Sequence, residues 1–213
     1  MRTKYPRTWH LPFSEGATDD DKTLGSVEHF VGRVVVVTEK LDGENTTLYT
    51  DSYCHARSLD SASHESQAWV RALAARVGHE IPAGWRVCGE NVYAQHSLGY
   101  DRLASYFYVF AIYDADNRCL SWDETVEWAG LLGLEVVPVL YRGVWDEAAV
   151  KACYDGTSRV GDEGEGYVVR VEDGYHYDEF EWSLAKFVRK GHVVEGAKHW
   201  RQRQVVPNVL RGS

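Results

Sequence analysis

Residues 33–50 read RVVVVTEKLDGENTTLYT, from Arg33 to Thr50, and the rest of the chain is organised around them. Four valines, Val34 to Val37, precede Glu39 and Lys40; Asp42-Gly43 follows, and then a second β-rich run through Thr46, Thr47, Leu48 and Tyr49. β-Branched and aromatic side chains suit a pleated surface, and Asp-Gly suits a tight turn because glycine adopts φ > 0 without steric cost. The pattern predicts a β-hairpin with Lys40 held at its mouth.

Downstream, a third strand is expected through Tyr53 to Arg57. Trp69, Leu73 and Val77 recur at i, i+4 and i+8, which predicts a helix over 63–77 with Gly78 as a left-handed stop. Strands are expected at Trp85 to Val92 and at Tyr106 to Tyr113, the run YFYVFAIY. Strict alternation along the latter would put Tyr108, Phe110 and Ile112 on one face. A turn at Asp116-Asn117 leads to a helix opened by Ser121 and Glu124 at capping-box spacing and ended near Gly133. Leu134 to Leu140 reads as a strand, Asp146 as the cap of a short helix, Gly166 to Val171 and Trp182 to Val188 as further strands, and the last residues as helical. Residues 1–32 read as an irregular lead-in. With no repeat or linker, the pattern predicts one α+β domain over 1–213, built on antiparallel sheet with flanking helices.

The 213 residues are 44% hydrophobic, enough for a substantial core. Cys54, Cys88, Cys119 and Cys153 lie more than 30 residues apart and form no CxxC pair, which argues against a disulfide framework or zinc knuckle. No HxxxH pair exists among the histidines, His96, His176, His192 and His199 included, and each reads as satisfied or solvated. Without an apolar leader or span, the chain is expected to be soluble and cytoplasmic, with no membrane partner. The net charge of −9 argues against a basic duplex-binding surface, but residues 186–213 carry +6 and the remainder −15. A polyanion would therefore meet the C-terminal segment.

Charged residues recur inside otherwise apolar, strand-like runs: Glu90 in RVCGENV, Glu165 in EGEGYVVR and Lys186 in LAKFV, besides Lys40 itself. A charge placed on a sheet needs a partner or a task, so four in one chain suggest a constellation.

These residues, in this order, resemble the covalent nucleotidyltransferase superfamily of ATP-dependent RNA ligases, DNA ligases and mRNA capping enzymes, and most closely the phage-type RNA ligase 2 family. The resemblance spans about residues 35–192. Lys40-Leu41-Asp42-Gly43 is similar to the signature KxDG, whose lysine accepts the nucleotide, and Asn45 to the asparagine two residues beyond it. Arg57 in CHARSLD, Glu90 in CGEN, Phe110 in YVFAIYD, Glu165-Gly166 in EGYVVR and Lys186 in AKFVRK are similar to the later motifs.

The resemblance implies a ligase adenylation domain with Lys40, Glu165 and Lys186 in the chemistry. Glu39, Asn45, Arg57, Glu90, Phe110, Lys186 and Lys190 would contact the nucleotide; Glu165 and Glu90 would hold Mg²⁺ or Mn²⁺. ATP would leave AMP on Lys40 for joining RNA 5′-phosphate and 3′-hydroxyl ends. Attack requires a neutral amine, scarce for a lysine of pKa about 10.4, and Lys186 is expected to disfavour the charged form of Lys40. Two departures stand out: Ala111 follows the stacking Phe where an acid is usual, and Val188 replaces a second lysine, leaving Arg189 or Lys190 as substitutes. With only a short basic tail, 193–213, no separate oligonucleotide-binding fold is expected, and strand capture would rest on that tail, a partner protein or RNA structure. The same motifs leave open a DNA ligase, a GTP-dependent capping reaction, and a silent nucleotide- or RNA-binding module on this scaffold.

Overall fold

A computed structural model describes residues 2–60, 64–191 and 204–212. The two β-rich runs do form strands, β1 (Val34–Glu39) and β2 (Glu44–Tyr49). They do not pair with one another. β1 lies antiparallel between β8 (Val139–Val144) and β9 (Gly166–Val171), with β11 (Leu184–Val188) beyond β9. β2 lies in a second sheet, between β3 (Cys54–Ala56) and β4 (Arg86–Asn91). That sheet continues through β5 (Phe107–Tyr113), β6 (Arg118–Cys119) and β10 (Tyr175–His176), with β7 (Glu135–Val136) parallel to β5.

The expected hairpin is therefore a crossover in which residues 40–43 carry the chain from one sheet to the other. Consecutive residues Val35, Val36 and Val37 are all fully buried. A strand apolar on both faces needs neighbours on both edges and cover on both sides, which a two-stranded ribbon cannot give. Asp42 serves the crossing: its carboxylate accepts from the backbone N–H of Ser97 (2.7 Å) and Leu98 (2.8 Å), and its own N–H donates to the Tyr100 hydroxyl (2.7 Å). Gly43 is there for space, since a Cβ would lie 2.5 Å from the Asn91 carbonyl oxygen.

One core lies between the sheets, joining Val35, Val37, Val169 and Val171 to Cys88, Ala111, Tyr113 and Tyr175. A second lies where α1 (Ala68–Val77) and α2 (Trp122–Leu131) cover the far face of the second sheet, on Leu48, Val87, Val109 and Ile112. Helix α1 buries Leu73 and Val77 as its periodicity predicts, but Gly78 is right-handed and opens a further 3-10 turn. Glycine is needed there because a Cβ would lie within 2.9 Å of the Ser52 backbone. Helix α2 has the predicted capping box, Ser121 with Glu124, and Gly133 follows it at φ +64°. Asp146 caps α3 (Glu147–Lys151) by accepting from the Ala149 N–H.

Three other expectations need correction. Leu134 to Leu140 is broken at Pro138, so that β7 joins one sheet and β8 the other. Trp182 belongs to a short helix, α4 (Phe180–Ser183), and the last strand begins at Leu184. Residues 204–212 are extended rather than helical, with bridges from Pro207 to Ala94 and from Leu210 to Leu103; the rest of that expected helix falls outside the described residues. Among the described residues no helix is long and apolar enough to cross a membrane.

Two details position the site. The β4–β5 register slips, pairing Cys88 with Ala111 but Gly89 with Val109, so Phe110 is an extra residue in a β-bulge. The slip breaks the expected alternation: Ile112 faces the helices with Val109, while Ala111 and Tyr113 face the inter-sheet core. The irregular N-terminal segment is pinned to β11, where Lys186 N–H donates to the Trp9 carbonyl (2.9 Å) and Leu11 N–H to the Lys186 carbonyl (2.8 Å).

Candidate active site

A cavity of about 500 Å³ is walled by residues of both sheets. Lys40, Glu39, Asn45, Arg57, Glu90, Phe110 and Lys186 all line it, so the structure gathers most of the residues singled out from sequence. Glu165 is buried and reaches Lys40 from the start of β9: Lys40 Nζ donates to Glu165 Oε1 at 2.5 Å. The backbone fixes the same junction, with Lys40 N–H donating to the Gly166 carbonyl (3.0 Å). β9 and β11 approach closely here, since a Cβ on Gly166 would lie 2.0 Å from the Phe187 carbonyl oxygen. Lys186 is on β11, opposite Val168.

Lys190 does not belong to this group. It is exposed, and Arg189 turns to Glu163 (2.9 Å), so neither alternative for the second lysine lines the cavity. Val188 is buried and pairs with Gly166, which leaves no space for a charged side chain in its position. Glu39 borders the cavity, but its carboxylate accepts from the Ser158 hydroxyl (2.5 Å) and the Arg159 N–H (2.9 Å), so it anchors that loop.

Electrostatics reverse one expectation. Burial alone would lower the pKa of Lys40, but Glu165, Glu90 and Asp42 outweigh it and hold the amine above the ordinary lysine value. Lys186 is the lysine whose pKa falls, through burial first and the Lys40 charge second. Glu90 is pushed up to about 8 by burial, which together with Glu165 and Asp42 overcomes the pull of Lys40. Glu90 therefore holds a proton for much of the time near neutral pH.

Phe110 presents its ring to the cavity from the bulge, with Tyr5 packed edge-on at 5.1 Å. The side-chain oxygen of Asn45 is buried without a hydrogen-bond partner among the described residues, an acceptor that a ligand donor would satisfy. Arg57 and Arg7 are exposed where they border the cavity.

Several residues here escaped the sequence reading. Tyr5 and Thr8 come from the segment read as a lead-in, and His96, read as satisfied or solvated, lines the cavity. Arg170, 4% exposed, donates to the carbonyls of Leu120 (2.7 Å), Val171 (3.1 Å) and Phe110 (3.4 Å), bracing the bulge from beneath. Its signal was available, because a charge inside GYVVRV breaks an apolar strand just as Glu90 does.

An amine with a carboxylate partner, a second amine, an aromatic wall and two bordering guanidinium groups suit a phosphorylated ligand with a planar ring. Among the described residues, no group of three or more His, Cys, Asp or Glu forms a metal cage. Mg²⁺ is commonly held by one or two carboxylates together with substrate phosphates, a donor set that Glu165 and Glu90 could supply beside Lys40.

No curated protein matches the chain. Among solved structures, it is similar to Naegleria gruberi RNA ligase with PPi, at 23% identity and TM-score 0.58, covering 76% of this chain and 51% of that one. A variant of that ligase with ATP and Mn matches at 21% identity and TM-score 0.57, covering 76% and 52%. The chain thus spans about half the length of these structures, and the likeness establishes a shared fold. The family model described as RNA ligase matches residues 33–188, from the start of the first strand to the end of the last and through every motif that meets at Lys40: the chain belongs to the RNA ligase family.

Proposed function

We propose that the chain is an ATP-dependent RNA ligase that joins 5′-phosphate and 3′-hydroxyl RNA ends through AMP carried on Lys40 Nζ. The observation that carries this reading is that Lys40 and Lys186 line one cavity with Phe110 in its wall and the buried Glu165 paired to Lys40, in a chain of the RNA ligase family.

In the first step Lys40 gives up its proton, its lone pair attacks the α-phosphorus of ATP, and the bond to pyrophosphate breaks. Glu165, 2.5 Å from Nζ, is placed to hold the ammonium beforehand and to orient the amine as it reacts. Lys186, half-buried and lowered in pKa, offers a compact cation toward phosphate charge. Phe110 offers a face for the adenine ring, and Asn45 an acceptor for a sugar or base donor. In the second step a 5′-phosphate oxygen attacks the lysyl phosphorus, the P–N bond breaks and Lys40 takes back a proton. In the third a 3′-hydroxyl attacks the activated 5′-phosphate and AMP leaves. Positioning and charge stabilisation dominate such transfers. A divalent cation, Mg²⁺ or Mn²⁺, would neutralise triphosphate charge, with Glu165 and Glu90 as its carboxylates. Strand capture would fall to the basic residues of 186–213 and to a partner protein or domain, in a cytoplasmic setting.

The test is transfer of label. Protein freed of bound AMP, given α-labelled ATP and Mg²⁺, is expected to become labelled, and Lys40→Ala to take none. Absence of label on the wild-type chain would sink the ligase reading, while label from GTP alone would favour a capping-type reaction. Sealing assays on nicked RNA and nicked DNA then define the acceptor.

A further inference from the structure

The segment 204–212 lies beyond the residues matched by the family model, yet it is built into the loop that holds the nucleophile. Asn208 is 2% exposed and is the centre of this contact. Its side-chain oxygen accepts from the Tyr100 N–H (2.7 Å), and its amide donates to the Val92 carbonyl (2.8 Å). Its backbone N–H donates to the Tyr93 carbonyl (2.8 Å), and its carbonyl accepts from the Tyr106 hydroxyl (3.0 Å). One side chain thus spans both ends of the 92–100 loop.

That loop faces Lys40. The Tyr100 hydroxyl accepts from the Asp42 N–H (2.7 Å), and the N–H groups of Ser97 and Leu98 both donate to the Asp42 carboxylate. Tyr100 is 1% exposed, so its ring has no freedom to follow a displaced loop. Two short hydrogen bonds, one at the backbone N–H of Tyr100 and one at its hydroxyl, therefore link Asn208 through that residue to Asp42, two residues from the nucleophile. Asn208 touches neither Lys40 nor the cavity, which distinguishes it from the residues that would meet ATP.

We infer that Asn208 is a positioning residue for Lys40: the 204–212 segment acts as a clasp that fixes the 92–100 loop and, through Tyr100 and Asp42, the attack geometry of the amine. The inference rests on the reading of Lys40 as the adenylylated residue. Small misplacements of a reacting group cost rate much more than they cost binding. The clasp should therefore be visible in the rate of Lys40 labelling at saturating ATP and nearly silent in KM.

The experiment measures single-turnover labelling from ATP and Mg²⁺, across ATP concentration, for the full chain and for Asn208→Ala, Tyr100→Phe and the double variant. Wild-type labelling is the arm that tests the ligase reading, and its absence would remove the positioning role with it. Given wild-type labelling, each single variant is expected to lower the saturating rate roughly 10- to 100-fold with KM within about twofold. Because both act through one path, the double variant should be no slower than the slower single. Tyr100→Phe keeps the buried ring, and thermal melts confirm that each variant is folded at the assay temperature. Unchanged saturating rates, a loss carried by KM, or factors that multiply in the double variant would each overturn the assignment.

Discussion

Lys40 and Glu90 divide the site's acid–base character between them, and each makes a prediction at the level of a single side chain. The Lys40 amine is held charged by Glu165, Glu90 and Asp42, against the effect of its own burial. Glu165→Gln should therefore lower the Lys40 pKa, read as an NMR titration of the ε-amine in the ligand-free protein; an unchanged or higher value would contradict the ion pair as its cause. Glu90 has the opposite consequence for stability. Its folded pKa of about 8 lies above the unfolded carboxylate value, so the native state binds the proton more tightly and stability falls as pH rises from about 4.5 to 8. Glu90→Gln should remove this loss, gaining about 1–3 kcal/mol over wild type at pH 9 and little at pH 4, in ligand-free denaturant titrations. The figure is kept below the full shift because Glu90 is only partly buried. The charges themselves were legible in the sequence, because Glu90, Glu165 and Lys186 interrupt apolar strands. Their pKa order was not, because it depends on which carboxylates surround which amine.

At the scale of elements, local signals did well wherever the cause was local. The capping box at Ser121, the Asp146 cap and the α1 periodicity each depend on residues within two turns, and each formed as read. The hairpin did not, because β1 finds its partners far along the chain, in β8 and β9, while β2 pairs with β3 and β4. The β5 bulge was hidden for the same reason, since it lies in the register between two strands. Gly89 is its hinge, as an added Cβ would lie 2.4 Å from the Phe107 ring and 2.6 Å from the Tyr108 carbonyl oxygen. Gly89→Ala is expected to destabilise by about 1–3 kcal/mol and to weaken ATP binding as Phe110 is displaced. A variant with native melting temperature and native affinity would show that the bulge does not depend on this glycine.

The molecule as a whole is two sheets that share a cavity, with the N-terminal segment laid along β11 and the 204–212 segment clasping the opposite loop. Neither flanking segment carries a strong sequence pattern, because the N-terminal one is held largely by backbone hydrogen bonds, which any residue type can make, and 204–212 by backbone bonds and the single side chain of Asn208. The fold class and the charged and aromatic residues gathered around Lys40 were legible; the N-terminal flank that helps wall the cavity and the 204–212 flank behind it were not. A ligand in this cavity should draw on both sheets. ATP at about 100 times its Kd is expected to stabilise the protein by about 2.7 kcal/mol. Hydrogen exchange should slow together in β9, β11, β4, β5 and the segment around Trp9 to Leu11. Protection confined to one sheet would place the nucleotide elsewhere.

The ion pair between Lys40 and Glu165 also governs what the protein does when no nucleotide is bound. An ammonium has no lone pair, and the raised pKa leaves less free amine on Lys40 for cyanate, aldehydes and other stray electrophiles. In the proposed ligase, Lys40 is thereby shielded at rest until a substrate draws the carboxylate's charge elsewhere. Cyanate at pH 8 should accordingly carbamoylate exposed Lys190 well before Lys40 in the ligand-free chain, and Glu165→Gln should narrow that difference. In that ligase the contact that orients the amine for one phosphorus atom would also slow its reaction with other electrophiles.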